Sequence, residues 1–242
     1  MHKLYKKSEI LFFVAWLVVY IVASSFLDSL SSSAGLEKIF TAFFHIIMSA
    51  TAIIWLKKHD LLKKYGICSI KVPASKFLFY IPLAVIVSCN LWFGTALNYT
   101  VSETVFYIIS MVCVGFLEEF IFRGLLFRAM EKNGLRSAII VSSVTFGIGH
   151  IINLFNGSGA DIVSNLCQIF SAIAIGFLFV VIFYRSKSLL PCIVTHSAIN
   201  ALSVVSKETS SLNNVIISVI LTLISLMYIV IILKIKQDKG IN

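Results

Sequence analysis

Stretches of about twenty apolar residues, long enough to cross a bilayer's hydrocarbon core of about 30 Å as helices, recur along the whole chain. They fall near Ile10–Leu27, Ile39–Leu56, Phe77–Leu97, Thr104–Phe122, Ser137–Ile152, Val163–Tyr184, Leu189–Val205 and Val215–Leu233, which predicts eight crossings. Composition agrees: 59% of residues are hydrophobic and 13% charged, whereas a soluble domain carries roughly a quarter charged residues. The connections are short and no internal repeat is visible. The expectation is an all-α polytopic membrane bundle of about eight helices, one domain over residues 1–242, with a catalytic core at about 104–205.

The loops test the helix count, because Lys and Arg gather on the cytoplasmic side of membrane proteins. With eight helices, 18 of the 20 Lys and Arg residues fall on one side, leaving only Lys38 and Lys207 on the other. A wrong count would scramble this alternation. Both termini are therefore expected on the cytoplasmic side of a cell membrane. The formal charge of +9 is read as a topology signal and not as a nucleic-acid footprint, because the aromatic residues sit inside the apolar runs. Lys3, Lys6 and Lys7 precede an apolar run with no clear small-residue cleavage site, so a retained first helix is expected. The five cysteines show no metal or redox spacing and read as small packing residues.

Against this background, ionisable residues inside apolar helices need a reason, since a charge at a helix centre costs roughly 3 kcal/mol on insertion scales. The fourth helix contains GFLEEFIFRGLLFR. Glu119 and Arg123 are four apart, on one face, where they can pair; Glu118 lies about 100° round the helix. Arg123 is then expected to neutralise Glu119, leaving Glu118 free to face a cavity. A blander reading makes all three a cytoplasmic end cap, since Arg128, Lys132 and Arg136 follow. Two further helices weigh against it. The fifth carries Phe146 and His150, and the seventh carries His196 and Asn200, again four apart on one face. Polar groups on three separate apolar helices converge because lipid satisfies none of them.

That set supplies the parts for hydrolysis. A carboxylate beside a histidine can take a proton from water, while histidine and asparagine donors can hold an oxyanion. Glu118, His150 and His196 are also a possible zinc set, and spacing alone does not decide between the two. One geometric difficulty stands: His150 is about 20 Å from the basic end of its helix, whereas Glu118 is nearer the predicted end of its own. They meet only if Gly124–Arg136 is partly submerged or the fifth helix is steeply tilted. The fifth and seventh helices are the shortest, which suits elements enclosed by neighbours. His45 is expected to be structural. Asp28, Glu37, Glu103 and Asp161 fall at outer boundaries, Ser29–Ser33 reads as an outer loop, and His59 belongs to a cytoplasmic basic loop near anionic headgroups.

Together, Glu118-Glu119-x-x-x-Arg123, Phe146-x-x-x-His150 and His196-x-x-x-Asn200 resemble the EExxxR, FxxxH and HxxxN signature of the CPBP family, which includes the type II CAAX prenyl endopeptidases and bacteriocin-processing or immunity-associated bacterial proteins. The resemblance covers roughly Val114–Leu202. It implies an intramembrane endopeptidase in which Glu118 and His150 activate water, His196 and Asn200 stabilise the oxyanion, and Glu119 and Arg123 organise the site. It favours a metal-free, glutamate-dependent mechanism, with zinc through Glu118, His150 and His196 as the alternative. The implied partner is a membrane-associated peptide or protein, cut within or near the cytoplasmic leaflet of a bacterial plasma membrane. The competing reading is a non-enzymatic immunity or scaffold protein on the same fold. A proton-coupled transporter would show repeated halves with broken helices, which the sequence lacks.

Overall fold

The computed structural model describes residues 1–155 and 161–235. A short α1 (His2–Lys7) leads into α2 (Glu9–Ser33) and α3 (Ile39–Lys58). A broken segment centred on α4 (Ile81–Val87) follows, then α5 (Val101–Glu119), which continues through a π-helical stretch, Phe120–Phe127, into α6 (Arg128–Glu131). The remaining helices are α7 (Leu135–Gly149), α8 (Ile162–Ser186), α9 (Leu190–Ser203) and α10 (Ser211–Lys234). Among the described residues seven helical segments are long and apolar enough to cross a membrane. The protein is an all-α, multi-pass helical bundle.

Its two ends differ in chemistry. At one end α3 finishes on Lys57 and Lys58, α8 on Arg185 and α10 on Lys234, where cations oppose the negative end of the helix dipole. Lys64 and Lys132 meet Glu9 at 2.8 and 3.1 Å, and the amide of Leu189 donates to the carbonyl of Gly66 at 2.8 Å, so the loops of this end form one surface. Lys236 and Lys239, assigned to the same side, lie outside the described residues. At the other end α5, α8 and α10 begin on the caps Thr100, Asp161 and Ser210, and Lys38 is paired with Asp28 at 2.6 Å. The alternation inferred from the loops is thus a physical separation of the cations.

Three expected helices come out differently. The fourth does not stop at Phe122: α5, the π-helical stretch and α6 form one rod from Val101 to Glu131. Its charge does not end it, because Arg123 is paired with Glu119 and every residue from Phe120 to Phe127 is buried. A π-helix leaves carbonyls poorly served, and Ser142 of α7 donates to that of Phe122 at 2.9 Å. The extra length removes the depth difficulty. Glu118 stands 13 residues before Glu131 and His150 15 residues after Leu135, so both lie about 20 Å from the basic end. Neither a submerged elbow nor a steep tilt is required.

The third segment is broken: Leu78, Phe79 and Tyr80 adopt φ of 52°, 51° and 58° before a helix that starts at Ile81 with Pro82 in its first turn. The seventh, α9, has 14 residues and spans only about 21 Å. Non-helical chain completes that layer, with Ala96 donating to the carbonyl of Val205 at 3.0 Å and Lys207 to that of Gly94 at 3.2 Å. Irregular backbone survives at this depth when protein satisfies it. The most enclosed span is α8, with 61% of its central window buried, against 28% for Leu135–Leu154; enclosure belongs to the sixth helix more than to the short fifth.

α5 packs along α9, and α8 along both α7 and α10. The α5–α9 contact depends on Gly115, where a Cβ would lie 2.4 Å from the backbone nitrogen of Ser197. Gly115→Val should therefore force α9 away and cost about 3 kcal/mol, the upper range for overpacking. Thermal unfolding in detergent should show a clearly lower midpoint than wild type, and an unchanged midpoint would refute this packing.

Candidate active site

Glu119 and Arg123 expose no surface, and the Arg123 Nη1 to Glu119 Oε1 distance is 3.1 Å. The expected pair forms. Burying a guanidinium this deep also needs partners for its faces, and Phe146 of α7 supplies one: its ring centroid is 4.0 Å from Arg123 Cζ, with that of Phe179 at 5.7 Å. Gly176 of α8 makes room, since a Cβ there would sit 3.2 Å from Arg123 Nη2.

Glu119 does more than neutralise Arg123. The same Oε1 lies 2.9 Å from Nδ1 of His196; an ionised carboxylate only accepts, so Nδ1 carries the proton and donates. This fixes the imidazole and turns Nε2 toward Glu118, whose Oε2 is 3.5 Å away. The first and third motifs are therefore joined through one oxygen atom. Phe146 ties in the second: its ring meets that of His196 edge-on at 5.6 Å and that of His150, one turn away, at 5.4 Å.

Glu118 is not free, as the sequence suggested. Tyr20 of α2 donates its hydroxyl to Glu118 Oε1 at 2.8 Å, and Glu118 is absent from the wall of the adjoining cavity. The Tyr20 contact had no sequence signal, because one tyrosine in an apolar helix is unremarkable.

The cavity has a volume of about 350 Å³ and lies among α7, α8, α9 and α10, with His150, His196 and Asn200 on its wall. His150 has Glu118, His196 and Arg123 as electrostatic neighbours, but its ring makes no hydrogen bond to Glu118 among the described residues. Its backbone carbonyl is held by Asn165 Nδ2 at 2.9 Å. Asn165, Gln168 and Asn214 add polar groups to the wall that sequence reasoning passed over. Asn165 and Gln168, three apart near the start of an apolar helix, were a readable signal.

His45 is buried between Ser24 Oγ at 2.9 Å and Ser110 Oγ at 3.0 Å, a satisfied structural histidine. Among the described residues no three His, Cys, Asp or Glu side chains are grouped to hold a metal ion.

Removing one partner of a buried ion pair strands the other, at a cost of about 3–5 kcal/mol. Arg123→Met should destabilise the protein by that amount, and Glu119→Gln/Arg123→Met should recover part of it. Unfolding midpoints in detergent check this, and equal midpoints for wild type and Arg123→Met would remove the pair from the core.

A family model described as type II CAAX prenyl endopeptidase Rce1-like matches residues 100–202. The match runs from the cap of α5 through α9 and contains all three motifs. Neither the curated proteins nor the solved structures give a match. Residues 100–202 of this chain are thus similar to the Rce1-like type II CAAX prenyl endopeptidases, a family of proteases.

Proposed function

We propose that the protein is an intramembrane endopeptidase that hydrolyses a peptide bond of a membrane-associated protein or peptide without a metal ion. The observation that carries the reading is the shared Glu119 oxygen, which locks His196 beside Glu118 next to a polar cavity that also holds His150 and Asn200.

In this mechanism Glu118, as carboxylate, removes a proton from a water held with His150, and the oxygen of that water bonds to the carbonyl carbon of the substrate. The carbonyl becomes a tetrahedral oxyanion, received by His196, which in this step carries a proton on Nε2 as well as on Nδ1, and by the side-chain amide of Asn200. Glu118 then returns its proton to the leaving nitrogen as the C–N bond breaks, giving a carboxylic acid and an amine. Glu119 and Arg123 touch no substrate; they hold His196 with its donor aimed at the oxyanion. Tyr20 donates one hydrogen bond to Glu118, which keeps the carboxylate oriented. The working location is a cell membrane, with both termini on the cytoplasmic side by the distribution of Lys and Arg.

The test compares purified wild type with Glu118→Gln, His150→Ala and Asn200→Ala on a panel of membrane-anchored peptides, with and without chelator. Wild type should cleave in both conditions. Glu118→Gln should lose about 10²–10⁴-fold, the range for general acid–base groups, and Asn200→Ala about 10²–10³-fold, the range for one oxyanion donor. Equal behaviour of wild type and folded Glu118→Gln would instead indicate a non-enzymatic immunity or scaffold protein, and loss in chelator would restore the metal reading.

A further inference from the structure

The cavity is not symmetrically placed in the bundle. Its deep wall is Phe179 and His196, and its other wall reaches Ser164 and Asn165, within the first four residues of α8, and Asn214, the fourth residue of α10. These are the ends of α8 and α10 remote from the cations. Toward the basic end the path is closed: Leu178 through Phe183 of α8, Phe127, Leu189 and Cys192 are all buried in one apolar cluster.

Within the cavity Asn165 is 1% exposed, and its Oδ1 has no hydrogen-bond partner among the described residues. Its orientation is set by chemistry, because the carbonyl of His150 needs the amide NH₂ as donor, which leaves the oxygen as the atom without a partner. A buried acceptor in a polar cavity costs free energy until a donor arrives. A substrate backbone N–H is such a donor, placed beside the residue that positions His150.

We propose that substrate enters from the cation-poor end of the bundle, the non-cytoplasmic face by the positive-inside rule, as an extended segment of an exported or membrane-anchored polypeptide whose backbone N–H binds Asn165 Oδ1. This reverses the expectation of cleavage near the cytoplasmic leaflet. A volume of about 350 Å³ lies at the small end for ligand sites, so it admits a few residues of extended chain and no folded domain. The identity of the occupant as a substrate rests on the hydrolytic reading; the direction of the mouth does not.

Two native cysteines report the direction. Cys167 lies on the cavity wall, and Cys68 lies in the loop that joins the basic end; both are free and half-buried. Single-cysteine variants retaining one or the other are treated with a membrane-impermeant maleimide in right-side-out and in inside-out vesicles. Cys167 should react only in right-side-out vesicles and Cys68 only in inside-out vesicles. Reaction of both from the same face, of Cys167 from the inside only, or of Cys68 alone, overturns the proposed mouth whether or not the protein is a protease. In a second arm, Asn165→Ala should raise KM for a cleaved membrane-anchored peptide about tenfold with a smaller change in kcat. An unchanged KM removes Asn165 from substrate recognition, and absence of cleavage by wild type counts against the hydrolytic reading alone.

Discussion

One carboxylate oxygen, Oε1 of the fully buried Glu119, accepts from both Arg123 and His196. An unpaired charge at this depth would be expelled or neutralised, so each of the three groups persists only because the others are present. Around them the bundle has been shaped to fit: Gly176 yields space to the guanidinium, Phe146 covers its face, and Gly115 lets α9 approach closely enough for His196 to reach Glu119. The small residues and the aromatic ring of the motifs are thus packing conditions for the polar ones.

Depth is the second constraint. Glu118 and His150 reach the same level only because the rod that begins at Val101 passes 13 residues beyond Glu118. The π-helical stretch with its eight buried residues carries that rod through the middle of the protein, and Ser142 serves the carbonyl of Phe122 that the wider turn leaves open. The site takes Glu118, Glu119 and Arg123 from the interior of the Val101–Glu131 rod, His196 from the middle of α9 and His150 from the C-cap of α7, so helices hold its geometry.

Much of this was legible in the residues. Long apolar runs announced the spans, the segregation of Lys and Arg predicted which helix ends would meet, and the spacing of four in Glu119–Arg123 and His196–Asn200 named one face on each helix. Other features were hidden for physical reasons. A buried Arg123 reads as a helix end until its partners are known, so the fourth helix was cut short at Phe122. Left-handed turns at Leu78 to Tyr80 leave no pattern in an apolar segment. Tyr20 and Asn165 act across 98 and 15 residues of sequence, respectively, and periodicity along one helix carries no information about such contacts.

The central claim is that Glu119 fixes the imidazole of His196, and nitrogen NMR of ¹⁵N-histidine-labelled protein in detergent addresses it directly. Wild type should show one histidine with a strongly hydrogen-bonded Nδ1 proton, assigned to His196 by its loss in His196→Gln, and Glu119→Gln should remove or sharply shift that signal while leaving the His45 resonances in place. A His196 signal unaffected by Glu119→Gln in a folded protein would contradict the account, because the first and third motifs would then not be coupled through that oxygen.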